Sequence, residues 1–447
     1  MRSQPSPYFV GPPDRRAPWK KTAGRRARWL RKFVLFVVAC IATYGLEHTV
    51  IHYLAHSEGA AATLSQSLFG GRELYRSAVA AWPRRLVPRY TALVYIDPQA
   101  DPTADGLAGN ICEQRDYLAQ LLPAIVERQP ALIVIDRSFS RAPCRSNDPT
   151  PRLQAAIAQA SARLPVVLGL YIEKEEAGGS EAGVPVRSVL KTMALPVAPL
   201  LREGIMNLDT DTTRIALGWT VRREEGGAPA WVDGLALAAA GAYDPLLFEK
   251  YPRLRALVAA RSNPYMSLIE PRDLVVFQGG DLLCALAAPT ARMQPPCAER
   301  RVSAVDVDYL RGRIVIVGER SPTLDRHRSV IGEGGDVQGM DLQANALEAL
   351  LDQRYFAPVP TWINYLVGFL FFVAIEAALV SAGGVVRTLL WIAAAAAVTF
   401  LLMSLTVRYL GFYVNPVTVS LPVLIVKLLG WFGELTYSFV GGGHHEA

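Results

Sequence analysis

The sequence predicts an α/β extracytoplasmic domain with a mainly parallel sheet, plus an α-helical membrane part of one N-terminal and three C-terminal transmembrane helices. Three observations carry this expectation. Wholly apolar runs of strand length alternate with segments of helical period through the middle of the chain. Four long apolar stretches lie towards its two ends. A dense basic block directly precedes the first of them.

The basic block sets the orientation. The chain of 447 residues is long enough for two or three structural units with buried cores. Its net charge of +6 is unevenly spread, for ten of the 46 Lys and Arg fall in residues 1–32, beside the single acid Asp14. The remaining 36 basic residues face 39 of the 40 acidic ones, so the basicity belongs to the tail. Such a block is either a nucleic-acid arm or the positive-inside flank of a membrane helix. Here it runs straight into "FVLFVVACIATYGL" at Phe33–Leu46, which selects the membrane and excludes nucleic acid as a partner. A signal peptide is the competing reading, since "VVAC" at Val37–Cys40 loosely resembles a lipoprotein cleavage site, although a basic region of 32 residues is long for one.

Six segments follow from this pattern: a basic cytoplasmic tail (1–32), a first transmembrane helix (33–54), a juxtamembrane helical segment (55–88), an extracytoplasmic domain (89–360), a three-helix transmembrane bundle (361–432) and a cytoplasmic tail (433–447). The first helix has to continue past Glu47, His48 and His52. The bundle comprises apolar segments near 362–380, 385–407 and 412–432, each long enough for a hydrocarbon core of ~30 Å. Within it, Glu376 is expected to face the other helices, with Lys427 as a candidate partner. Both termini then lie in the cytoplasm of a bacterial inner-membrane protein.

In the domain, "TALVYID" (Thr91–Asp97) and "PALIVID" (Pro130–Asp136) read as buried strands ending in an acid. Between them, Arg115–Gln129 carries Leu118, Leu121, Leu122, Ile125 and Val126 at helical spacing. "PRLQAAIAQASARL" reads as a second helix, "PVVLGLYI" as a third strand and "RGRIVIVGE" as a fourth. An amphipathic helix, Met340–Leu351, comes last. Apolar strands alternating with helices imply a parallel sheet covered on both faces. The less regular stretch from Gly204 to Gln278 is expected to add antiparallel pieces and loops.

Of five cysteines, Cys40 lies in the first membrane segment, and Cys112, Cys144, Cys284 and Cys297 all lie on the oxidising side. Short loop closure favours the pairs Cys112–Cys144 and Cys284–Cys297, each contributing ~3 kcal/mol. Four buried free thiols are the alternative.

Ligands of parallel sheets bind beyond the C-terminal strand ends. Asp97, Asp136 and the polar loop Glu319–Arg328, with Asp325, His327 and Arg328, should emerge there as candidate ligand-binding residues. Each has a plainer reading: Asp97 and Asp136 as helix caps or turn residues, and His327 as a packed loop residue. No HExxH or HxH spacing occurs, so no metal site and no cofactor is expected. The glycines of "IGEGGDVQG" precede a helix N-terminus but form no dinucleotide or Walker motif, and Ser138 sits in "DRSFS" rather than a nucleophile elbow.

Taken in order, "ALVYID", "LLPAIVERQPALIVIDRSFS", "GIMNLDTDTTRIALGWTV", "LALAAAGAY", "RGRIVIVGE", "LDRHRSVIGE" and "VQGMDLQANALEALL" resemble the CHASE2 family of extracytoplasmic sensory domains. The likeness covers most of Arg89–Phe356, and three following membrane helices are typical of that family. The resemblance implies an input domain for transmembrane signalling, usually joined to a cytoplasmic cyclase or kinase. Only 433–447 follows the last apolar segment, which is too little for an output domain. The expectation is a non-enzymatic sensor or receptor subunit with an unknown periplasmic ligand. It would lie in membrane lipid and signal through a separate membrane or cytoplasmic protein, with a homodimer also open. The alternative is a structural or assembly subunit of a cell-envelope complex that uses the sensor fold as scaffold. A hydrolytic site built from Asp97, Asp136 and His327 is a third and weaker reading.

Overall fold

The computed structural model describes residues 33–42, 87–96, 111–139, 148–181, 184–189, 197–209, 212–223, 227–267, 273–286, 306–320, 326–328, 336–381 and 411–413, with isolated positions such as Cys144, Ile269 and Cys297. The chain divides into two compact units, the larger formed by Gln66–Pro360 with Val398–Val414.

The larger unit opens with β1 (Thr91–Ile96), α1 (Ile111–Val126), β2 (Leu132–Asp136), α2 (Thr150–Ser161) and β3 (Val166–Leu170), close to the sequence expectation. Next come β4 (Ile172–Glu181), β5 (Val184–Val189), β6 (Leu201–Ile205), β7 (Gly218–Arg222), β8 (Ala230–Asp233) and α3 (Leu235–Tyr243). Then follow α4 (Pro252–Ala259), β9 (Tyr265–Met266), β10 (Val276–Gln278), α5 (Gly279–Leu286) and β11 (Ile314–Glu319). The last elements are β12 (Arg326–Arg328), β13 (Asp336–Gln338), α6 (Gly339–Leu351), β14 (Tyr355–Pro358) and, after a gap in sequence, β15 (Phe412–Tyr413).

Six strands form the central sheet in the order β10-β1-β11-β2-β3-β6, and every neighbouring pair is parallel. Alternate side chains explain why its inner strands are so apolar. Ala92, Val94, Ile133, Ile135, Val315 and Val317 pack under α1, α2 and α5 on one face. Leu93, Tyr95, Leu132, Val134, Ile314 and Ile316 pack under α3 and α6 on the other. With no face left for water, each such Val, Leu or Ile contributes ~1.5–3 kcal/mol.

The stretch from Gly204 to Gln278 departs from expectation. It does hold antiparallel pieces, such as β7 on β8. It also overlaps both edges of the parallel sheet, through β6 at its start and β10 at its end. Helix α3 lies so close to β6 that a Cβ on Gly204 would stand 2.8 Å from the Leu235 Cα. Only glycine admits that contact.

Two further corrections concern the segment 319–351. The expected loop around His327 is in part a strand, β12, paired antiparallel with β13 so that His327 faces Val337. Helix α6 is not amphipathic in its setting, for all of its residues from Gly339 to Leu351 are buried. Its polar residues are satisfied by other segments instead. Asn345 accepts the Ile269 N–H at 2.7 Å and donates to its carbonyl at 2.9 Å. The Gln343 amide donates to the Met206 carbonyl at 2.7 Å. Glu348 takes the backbone N–H groups of Arg89, Tyr90 and Thr91, which lead into β1. A buried carboxylate is tolerable only when such charge-assisted bonds replace water.

The smaller unit holds a helix over 33–42 and α7 (Thr361–Ser381). Phe36 stacks on Phe372 with ring centroids 5.1 Å apart and leans on Phe369 at 5.7 Å. Among the described residues no helix is long and apolar enough to cross a membrane. The side chains of α7 are described over 362–375 only. The transmembrane helices expected at 33–54 and 361–432 thus remain a reading of the sequence. Both tails apart from Leu30, the segment 55–86, most of 382–432, and the side chains of Glu376 and Lys427 lie outside the described residues.

Candidate functional site

A cleft of about 700 Å³ opens at the C-terminal edge of the parallel sheet. Four adjoining strand ends and the β12 strand supply its wall. Asp136, Arg137 and Ser138 come from the end of β2, and Glu319 from the end of β11. Tyr171 follows β3, and Met206, Asn207, Leu208 and Asp209 follow β6. His327 reaches it from β12. Parallel strands deliver polar residues to this edge because the backbone leaves the ladder there.

The wall is held by specific bonds. The Arg137 guanidinium pairs with the Glu319 carboxylate and also donates to the Gln114 side-chain oxygen on α1. The Asn207 side chain accepts the Ile172 N–H at 2.6 Å, which pins the loop after β6 to the start of β4. Asp209 accepts from the Asn263 amide at 2.6 Å, and Asn263 in turn accepts the Leu217 N–H at 3.0 Å. At Gly318 a Cβ would meet the Met340 sulfur at 2.8 Å and the Asp136 carbonyl at 3.3 Å, so glycine there lets β11 lie close beside Asp136 with Met340 packed over it.

Beneath this edge the Tyr95 hydroxyl donates to Asp341 at 2.5 Å, and Arg320 lies over its ring at 5.6 Å. Burial pushes the Tyr95 phenol far above its usual range, helped by the carboxylates of Asp341 and Asp136. It is therefore a fixed donor at any physiological pH. The described wall combines three carboxylates, an arginine, a histidine, a hydroxyl, an amide and the half-exposed Tyr171 ring. Such a lining can orient a small polar molecule through several donors and acceptors at once. Among the described residues no group of three or more His, Cys, Asp or Glu is placed to hold a metal ion.

Of the residues singled out in the sequence, Asp136 and His327 line this cleft together. Arg328 is placed in β12, with its side chain outside the described residues; Asp97 and Asp325 lie outside them altogether. Sequence reasoning missed Arg137, Asn207 and Asp209. Their signal was position: Arg137 follows β2 directly, and Asn207 and Asp209 lie two and four residues past the end of β6, whose "LREGI" carries no apolar-strand signal. Cysteine pairing agrees with loop length, since Cys112–Cys144 and Cys284–Cys297 are joined with Cα atoms 5.8 Å and 5.3 Å apart.

A parallel sheet covered on both faces, with a polar cleft at its strand C-termini, defines an α/β domain. The family model of the CHASE2 domain matches residues 56–411. The chain belongs to the CHASE2 family, which is a family of extracellular sensory domains. No curated protein and no solved structure matches it.

Proposed function

We propose that the protein is a non-enzymatic membrane sensor subunit whose periplasmic CHASE2 domain binds a small polar ligand and signals through a separate partner protein. The observation that carries the reading is the cleft itself, at the ligand edge of a sensory-family domain and lined by Asp136, Arg137, Asp209, Glu319 and His327. Two joined cysteine pairs favour an oxidising compartment for this domain. In the smaller unit, Val34, Val38, Ile41, Leu366 and Leu370 are exposed on the helices around Phe36 and Phe372. Apolar side chains turned outward in this way favour surrounding lipid. With the basic tail cytoplasmic, the inner membrane would hold four crossings and both termini would lie inside.

The test is a thermal-shift screen of the full chain in detergent micelles against small polar molecules. A specific binder raises the apparent unfolding temperature by mass action. That shift should vanish in Arg137→Met and in His327→Ala. A binder whose shift survives both substitutions would place the ligand elsewhere and overturn the assignment of this cleft.

A further inference from the structure

The two disulfides differ in setting at their described residues. Cys112 lies in the first turn of the sixteen-residue helix α1, where the positive end of the helix dipole favours a thiolate. Its partner Cys144 lies beside Arg115, whose side chain is 2 % exposed. The Arg115 guanidinium donates to the Cys144 sulfur at 3.6 Å and to the Thr150 hydroxyl at 2.8 Å. Two acids bear on the same spot. Asp148 stands 4.0 Å from the guanidinium on the solvent side, where the Thr150 hydroxyl and N–H hold its carboxyl below the usual range. Glu113 neighbours Cys112 in the first turn of α1. Asp148 faces water, which screens it, whereas the guanidinium is buried against the sulfur.

The second pair differs at Cys284. Cys284 is 1 % exposed and sits in the second half of α5, whose last turn carries no basic residue. Burial and the negative end of that helix both oppose a thiolate there.

We propose that Cys112–Cys144 is a reducible redox site for an external dithiol, while Cys284–Cys297 is a permanent staple. A thiolate of the dithiol attacks the Cys112 sulfur. The bond between the two protein sulfurs breaks, and its electron pair leaves with Cys144 as a thiolate paired with Arg115. The second thiol of the dithiol then attacks the mixed disulfide and releases Cys112. The dithiol departs as a disulfide, having given two electrons to the protein pair and two protons to the new thiols or solvent. Cys112 is two residues from Gln114, the partner of Arg137 in the cleft. On the reading of that cleft as a ligand site, reduction loosens the first turn of α1 and with it the hold on Arg137.

The experiment equilibrates the full chain in detergent with graded ratios of reduced to oxidised dithiothreitol, traps free thiols with a maleimide and maps the peptides. Cys112 and Cys144 should become free at a ratio at least tenfold lower than Cys284 and Cys297, a separation of about 30 mV. Arg115→Met should shift the first pair several-fold towards harder reduction, and Arg115→Lys should largely restore it. Joint reduction of both bridges, or earlier release of Cys284 and Cys297, overturns the proposal. An Arg115→Met profile like that of the wild type overturns the role of the cation. The wild-type order is decisive even if the variant fails to fold. No ligand enters the measurement, so its failure leaves the sensing reading intact.

Discussion

The carboxylate of Glu348 accepts the Thr91 N–H at 2.8 Å across 257 positions of sequence. The same oxygen takes the Thr91 hydroxyl at 2.8 Å and the Tyr90 N–H at 2.8 Å. Replacing Glu348 with Ala strands these donors and the Arg89 N–H, each worth ~1–3 kcal/mol when left unpaired. The expected loss is at least about 3 kcal/mol in denaturant unfolding, with Glu348→Gln milder because its amide oxygen still accepts. A loss below about 1 kcal/mol for the alanine variant would mean that water replaces the carboxylate.

His327 is half-buried on a strand held by its backbone. His327→Ala should leave stability within about 0.5 kcal/mol of the wild type, while ligand binding or partner response is lost. A packed, purely structural histidine would instead cost roughly 1–3 kcal/mol. Unfolding midpoints of the two full-length proteins separate the cases.

Alkaline pH should destabilise the domain. Burial pushes the Tyr355 phenol up to about 12, and Tyr95 shifts the same way. Below the ordinary phenol value of 10.0 both folded and unfolded chains keep these protons, and stability is intact. Above it the unfolded chain releases protons that the folded one retains, so stability falls as pH climbs towards 12. Tyr355→Phe should flatten part of this slope in unfolding midpoints taken between pH 8 and pH 11. An unchanged slope would remove Tyr355 from the account.

Topology has its own readout. A reporter active only in the periplasm should be silent when fused after Ala447 and active when inserted near Gly227, in the segment joining β7 and β8. Activity at the C-terminus would mean an odd number of crossings or a cleaved N-terminal segment.

The legible parts of the fold were those whose physics is local. "TALVYI", "LIVID" and "IVIVGE" are apolar along nearly their whole length because both faces of the sheet are covered. The edge strands lack that mark: "LREGI" exposes Arg202 and "VFQ" exposes Val276, since an edge strand is only partly covered. Helix α3, "LALAAAGAY", shows almost no polar face because sheet and neighbouring helices enclose it, so helical period had nothing to register. In α6 the polar residues imitated a solvent face, whereas each one binds a distant segment. In the cleft, Asp136 was legible as an acid closing an apolar strand. Asn207 and Asp209 depended on recognising β6, and Arg137 on Gln114 and Glu319, which no spacing rule connects to it.

The clamp at Glu348 also determines what kind of insertion this domain makes. Chain arriving at Arg89 is bonded to a helix that ends three residues later, and the Arg89 guanidinium lies 3.8 Å from Asp352. A host polypeptide that carried this fold would therefore bridge almost no gap, which keeps the entropic cost of accommodating roughly 260 extra residues to that of closing a tight loop. Such closed geometry suits transplantation between unrelated carriers and rearrangement of the chain by circular permutation. It makes the β1 lead-in and the end of α6 neighbouring points of entry and exit, with β14 and β15 carried along as parts of the same unit.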